Sequence, residues 1–480
     1  MMKREVRMGT VAAVLPMPGG WCILFRSQPV ARTWSSLSDP NGLMRQLEDF
    51  DPAMRRQALE RLAAGPSVEP VPGGNVNLHF HSFFSYNAEG WSPSHIVWAA
   101  RQAGLYAAGL CDFDVLDGLE EFLAAGELLG LRVTANLETR VYVKEYAEVD
   151  ISSPGEPGVT YIMGAGFARP LTEGSPQAET LRRVYREGAK ARNIALVERI
   201  NDQVPQIAVD YDYDVLPLTP AGAATERHII RAYVNKAEAA FGDGVAAFWA
   251  GLLGKSEAEV AGKLGTPTLE EWVRSKLAKR GGLGYIPTSP DTFPPVEDFC
   301  AWVLSCRAMP MITWLDGTSG GEADARGSLE LMMSKGCVAL NIIPDRNWNL
   351  KDPPEQATKV ANLEAIMGAA NDLHLPINIG TEMNRAGLPF VDDLSGPVLS
   401  RHRESFLLGA RVMVGQTILF RHADFSYVDD ERPVAARNAY FAAVGALPPL
   451  TRPVAERLQD AGSGRVRELI EASAAQGEWV

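Results

Sequence analysis

Two histidines one residue apart, His79 and His81, stand in the run Asn75-Val-Asn-Leu-His-Phe-His-Ser-Phe-Phe-Ser. The alternation of Val76, Leu78 and Phe80 reads as a buried strand, so the two imidazoles project to one side. The polar run that follows places them at the strand's C-terminal end. Paired neutral imidazoles suit a divalent ion such as zinc, iron or manganese. A packed histidine pair with no ion is the competing reading. Four carboxylates weigh on the choice: Asp112 and Asp114 flank Phe113, Glu138 ends a later strand-like run, and Glu382 follows a run ending in Gly380. A mixed set of imidazoles and carboxylates is how proteins hold divalent ions that activate water and neutralise a phosphoryl oxygen.

The elements that must position these residues alternate from Asn75 onward. A strand over 77–81 is followed by a helix opened by Pro93 with Ser92 as its cap. A second strand over 105–112, a helix over 118–129 and a third strand over 130–138 come next. Strands separated by short helices predict parallel βα units and a barrel, with functional residues gathered at the C-terminal strand ends. His79, His81, Asp112 and Glu138 all fall at such ends. Amphipathic helical stretches fill about 170–300 as an insertion without a fixed period. Strand-like runs return over 310–315, 337–343 and 375–382, with a helix near 355–373. The expected division is an appendage and linker over 1–74, a barrel over 75–395 with its insertion, and a helical extension over 396–480. Within the appendage, Pro52 restarts a helix that runs over 43–64.

Bulk properties narrow the function classes. The chain has 480 residues, 46% of them hydrophobic and 22% charged, and a net charge of −13. No basic run stands out, so a nucleic-acid polymer is not expected as a partner, whereas a small anionic substrate meeting a local basic pocket is. Five scattered cysteines form no CxxC pair, which argues against a disulfide framework and for a reduced, cytoplasmic setting. No apolar run approaches the ~20 residues needed to cross a bilayer, so no membrane association is expected. The oligomeric state is left open.

The chain resembles the PHP (polymerase and histidinol phosphatase) superfamily of metal-dependent phosphoesterases. The matching pieces are His-Phe-His-Ser-Phe-Phe-Ser (79–85) with Ser92-Pro93, Gly-Leu-Cys-Asp-Phe-Asp (109–114), Asp-Gly-Leu-Glu-Glu-Phe (117–122), Glu138, and Gly-Thr-Glu-Met-Asn (380–384). The resemblance spans about 75–165 and 305–390 and implies an α/β fold, a distorted (β/α)7 TIM-like barrel, with the helical insertion and helical C-terminal tail added. It also shows departures. Tyr86 or Asn87 stands where the family has a loop Asp, and Phe113, Tyr161 and Trp314 stand at histidine positions. Glu382 and Asn384 replace a closing Asp-x-His pair. The family site holds up to three metals; this inventory suits one or two.

On this resemblance the metal ligands are His79, His81 and Glu138, holding Mn, Fe, Zn or Mg. Asp112, Asp114 and Glu382 are the catalytic carboxylates. Arg140, two residues past Glu138 and on the same side, binds a substrate anion through its planar fork; Asn87 and His228 are further substrate contacts. The run Gly317-Thr-Ser-Gly-Gly is a candidate phosphate cradle of backbone N–H groups, without the lysine of a triphosphate loop. Two other functions stay open. An amidohydrolase-like enzyme acting on amides or lactones also begins with HxH, and a ligand-binding barrel without hydrolysis is consistent with aromatics at ligand positions.

Overall fold

The computed structural model describes residues 11–17, 20–25, 40–65, 74–462 and 464–480, the first two segments by backbone only. The linker expected at 66–73 lies outside the described residues. Strands β1 (Val11–Met17) and β2 (Gly20–Phe25) form an antiparallel hairpin. The main sheet has seven strands in sequential order: β3 (Val76–Phe80), β4 (Ala107–Phe113), β5 (Arg132–Tyr142), β6 (Val159–Phe167), β7 (Met309–Trp314), β8 (Ala339–Ile342) and β9 (Ile377–Ile379).

The expectation of uniformly parallel units fails at one strand. β3, β4 and β5 are parallel, as are β7, β8 and β9, but β6 runs antiparallel to both of its neighbours. The connection that precedes it, residues 143–158, carries only a short 3-10 turn and loops and no crossover helix, where a parallel partner would usually be reached through a helix. β6 carries Gly164 and Gly166, which weaken the strand signal and hide it in the sequence.

The sheet nearly closes on itself. The Glu382 N–H donates to the His79 carbonyl at 2.8 Å, and the His81 N–H donates to the Glu382 carbonyl at 2.9 Å. This parallel bridge joins the first barrel strand to the chain just past the last. Gly380 makes the approach feasible, because a Cβ there would lie 2.4 Å from the His79 Cβ and 2.5 Å from its backbone nitrogen. Val76, Leu78 and Phe80 of β3 are wholly buried, each contributing roughly 1.5–3 kcal/mol of apolar burial.

The first βα unit follows its sequence signals. Ser92 accepts from the His95 N–H at 3.1 Å to cap the helix Pro93–Gln102, with Pro93 in its first turn. The preceding helices, Pro40–Gln46 and Pro52–Ala63, pack on the barrel, and Asp51 caps the second. Arg55 there is 2% exposed and makes a forked hydrogen bond to Glu121. Between β6 and β7 the insertion builds its own core around Ile200, Tyr233, Trp249 and Val273. After β9, the helix Arg403–Ala423 lies tightly on the sheet: at Gly409 a Cβ would meet the Ile377 carbonyl. Among the described residues no helix is long and apolar enough to cross a membrane.

Candidate metal centre

His79 and His81 leave β3 pointing into the barrel mouth, and Glu138 enters it from β5. The His79 and His81 Nε2 atoms stand 3.4 and 3.3 Å from the same Glu138 oxygen, Oε2. All three side chains are at most 1% exposed, and their ligand atoms lie within 4.8 Å of one another. Both Nε2 atoms and Glu138 Oε2 have no hydrogen-bond partner. A charge-assisted His–carboxylate hydrogen bond would close to about 2.7–2.9 Å. Ligands about 2.1 Å from a common tetrahedral ion stand ~3.4 Å apart. The spacing thus fits a shared divalent ion, and buried orphaned nitrogens and oxygen are otherwise costly.

The electrostatics agree. Burial works against the Glu138 carboxylate, but the His79 and His81 rings outweigh it and hold the carboxyl well below its ordinary range. Burial likewise pushes His79 down, and the Glu138 charge more than reverses this, leaving its pKa raised. Proton and divalent ion therefore compete for one electron-rich pocket.

Asp112 does not open onto this pocket through a free oxygen. Its Oδ1 accepts from the Ser82 N–H and the Ser85 hydroxyl, and its Oδ2 accepts from the Ser82 hydroxyl, all at 2.7 Å. The Ser85 Oγ lies 3.3 Å from His81 Nδ1, so Asp112 acts on the histidine through a serine, as a support for ring orientation. Asn87 organises the same loop: its amide donates to the His81 carbonyl at 2.8 Å, while its oxygen accepts from the Glu89 and Trp91 N–H groups.

Asp114 and Glu382 share an unusual backbone, with φ of 58° and 65°. Left-handed non-glycine residues concentrate where geometry is functionally constrained. The Asp114 carboxylate accepts from the Thr139 hydroxyl at 2.6 Å, and burial raises its pKa. Glu382 is 6% exposed, and its Oε2 receives a guanidinium N–H of Arg346 at 2.5 Å.

Arg140 reaches Glu156 at 2.8 Å rather than Glu138, and lies over the Phe293 ring at 4.4 Å. Arg192 of the insertion covers the same ring at 4.8 Å, so two guanidiniums flank one aromatic at the mouth. His228 has another job: its Nδ1 accepts from the Thr225 N–H at 3.1 Å, as the third residue of the helix Glu226–Phe241. Burial drives its pKa down to about 4, and a neutral ring in a capping box is a poor anion receptor. Phe113 stacks on His81 at 4.8 Å with 8° between planes. It also lines, with Asp114, Arg186, Lys190 and Tyr211, a shallow open crevice between barrel and insertion.

The Gly317–Gly321 run is not a free phosphate cradle. The Leu315, Asp316 and Gly317 N–H groups all donate to the carboxylate of Glu322, at 2.7, 3.1 and 3.0 Å. The chain's own anion fills that nest. Arg346, Arg192, Ser82 and Ser85 are the residues the sequence reading passed over. Ser82 and Ser85 lay inside the quoted histidine motif, and Arg346 follows a barrel strand, where function collects.

Seven strands of mixed direction and a nearly closed sheet define an α/β protein with a cluster at its mouth, His79, His81 and Glu138, that could hold a metal ion. A comparison with protein-family models gives no match, and neither does one with curated proteins. Among solved structures the chain is similar to an amidohydrolase from Chromobacterium violaceum solved with bound sulfate and no metal. That likeness has 18% identity over 69% of this chain and 96% of that one, with a TM-score of 0.43. It is also similar to a protein from Bifidobacterium adolescentis provisionally assigned as a metal-dependent phosphoesterase, with 17% identity over 69% of this chain and 98% of that one, and a TM-score of 0.42. At these scores neither likeness carries weight for the reaction.

Proposed function

We propose that this chain is a metal-dependent hydrolase of PHP type that cleaves a phosphoric ester in a small anionic metabolite or nucleotide. The observation that carries the reading is the buried triad: two imidazole nitrogens and a carboxylate oxygen converge without partners at an ion's ligand spacing. A divalent ion held there supplies Lewis acidity toward water and a phosphoryl oxygen. The chain's own groups do the rest. Asp112 keeps His81 in register through Ser85, and Arg140 and Arg192 give the mouth positive charge for an anion. Asp114 and Glu382 are the carboxylates left for proton transfer.

The test is elemental analysis of protein grown with added Mn, Fe and Zn, wild type beside a His79→Ala/His81→Ala double variant, followed by a phosphomonoester and phosphodiester screen. About one equivalent or more, lost in the variant, with metal-dependent phosphate release, supports the reading. Turnover of amides or lactones with phosphoesters untouched would move the chain to the amidohydrolase reading. One observation favours a barrel that binds without hydrolysing: Phe113 stacked on His81 narrows the approach to that ring. Absence of metal from both proteins, even after soaking, would select it.

A further inference from the structure

Three acidic groups bring charge to the histidine pair, and they are not equivalent. Asp112 has its oxygens taken by Ser82 and Ser85. Glu138 leaves Oε2 open. Glu382 is held at the rim by its backbone, bonded on one side to His79 and on the other to His81, and its carboxylate is already matched by Arg346. The cluster therefore offers three open ligand atoms, enough for one ion completed by water or substrate. A second ion would need Glu382, and Arg346 stands in its place.

Arg346 is suited to more than neutralising Glu382. It lies in the short helix Asp345–Trp348 directly after β8, with its side chain 36% exposed at the mouth. One terminal nitrogen serves Glu382, and among the described residues no other acceptor takes the remaining N–H groups of the fork. A guanidinium keeps its charge at any working pH and presents its donors in a plane that matches an oxyanion. We propose that Arg346 occupies the second cation position of this centre, so that the chain binds a single divalent ion and the guanidinium supplies the other positive charge met by a phosphoryl oxyanion. This rests on the metal-dependent reading above and deepens it.

The experiment titrates Mn(II) into metal-free protein by calorimetry, with the stoichiometry checked by elemental analysis and the spectrum by electron paramagnetic resonance. Wild type is expected to saturate at one equivalent with an uncoupled spectrum. Arg346→Gln frees Glu382 and is expected to take a second equivalent. Arg346→Lys keeps the charge and stays at one, as does Arg346→Gln/Glu382→Gln. Inorganic phosphate should then bind the Mn-loaded double variant at least tenfold more weakly than Mn-loaded Glu382→Gln, which retains the arginine with the same single ion.

Two equivalents in wild type, or a spin-coupled pair, overturn the inference while leaving the metal-dependent reading intact. So does an Arg346→Gln variant that stays at one equivalent, or unchanged phosphate affinity between the last two proteins. No Mn in wild type overturns the metal-dependent reading itself and the inference with it. If Arg346→Gln fails to fold by circular dichroism, the wild-type stoichiometry and spectrum decide the ion count, and Arg346→Met/Glu382→Gln carries the phosphate comparison against Glu382→Gln, with the same tenfold loss expected.

Discussion

Replacing Asp112 tests whether the centre is held from behind. Its carboxylate is 1% exposed and accepts three hydrogen bonds at 2.7 Å. In Asp112→Ala three buried donors lose their acceptor; at ~1–3 kcal/mol for each orphaned group, with some relaxation, the cost is roughly 3–6 kcal/mol. Asp112→Asn keeps the shape. Its amide oxygen still serves the Ser82 N–H and the Ser85 hydroxyl, while its amide nitrogen faces the Ser82 hydroxyl, which already accepts from the Phe84 N–H at 3.2 Å. That variant loses one acceptor and the charge assistance, about 1–2 kcal/mol. Both loosen Ser85 and hence the His81 ring, and removing such support from a ligand costs ~10–100-fold in metal affinity. Urea unfolding of metal-free protein gives the stability order, wild type above Asp112→Asn above Asp112→Ala. Cobalt(II) titration, followed by its visible absorption, gives the affinity. If Asp112→Asn matches wild type in cobalt affinity and in urea midpoint, Asp112 does not position His81 and the chain of support is refuted.

Further expectations can be checked with ordinary equipment. Gly380→Ala sets a methyl 2.4 Å from the His79 Cβ and should lower stability by about 1–3 kcal/mol and weaken metal binding together; an unchanged urea midpoint would show that the seam gives way freely. Asp392 is 2% exposed with neither carboxylate oxygen hydrogen-bonded, and burial, aided by Asp345, pushes its pKa up to about 7. Its folded pKa exceeds the unfolded value near ~4, so wild type loses stability as pH rises from about 4 through about 7 and then levels. Asp392→Asn should therefore gain about 2–4 kcal/mol at pH 8 and almost nothing at pH 4, and a pH-independent difference would rule this out. His228→Gln should leave metal and phosphate binding within twofold while lowering thermal stability, since the ring caps a helix; loss of phosphate affinity at full stability would restore it as an anion contact.

What the sequence shows well is local. The two-residue period that sets His79 and His81 side by side needs only five positions of strand, and Ser92-Pro93 announces its helix by itself. Glu138, expected at the end of its strand, lies inside β5, which runs on to Tyr142, although the pairing with the parallel neighbour β4 stops at Glu138. What the sequence hides is whatever depends on a partner far along the chain. Arg346 meets Glu382 across 36 positions, and nothing in either segment points to the other. β6 was hidden because Gly164 and Gly166 dilute its strand pattern, and its direction goes with a connection that carries no crossover helix rather than with its own residues. The glycine run at 317–321 looked like an open nest because the anion that fills it, Glu322, is an ordinary acidic residue until the loop folds round it. The capping role of His228 is hidden for a similar reason: a histidine in the third helical position of a capping box does the work usual for glutamate.

The closing bridge beside the histidines has a consequence for how the molecule is made. Asn77 and Thr381, hydrogen-bonded across that seam at 2.8 Å, are 304 positions apart. At synthesis rates of ~5–20 residues per second, the histidine strand leaves the ribosome on the order of 15–60 s before the segment that completes the rim. Throughout that interval the two imidazoles have no Glu382 backbone to lock them and present a loose, unselective pair to any available ion. Under the metal-dependent reading, selection of an ion would therefore belong to the end of folding, when the last strand docks and Glu382 completes the rim beside Arg346. Such long-range closure is also intrinsically slow, so an ion that enters late acts as a clasp on a finished ring rather than as a seed for it.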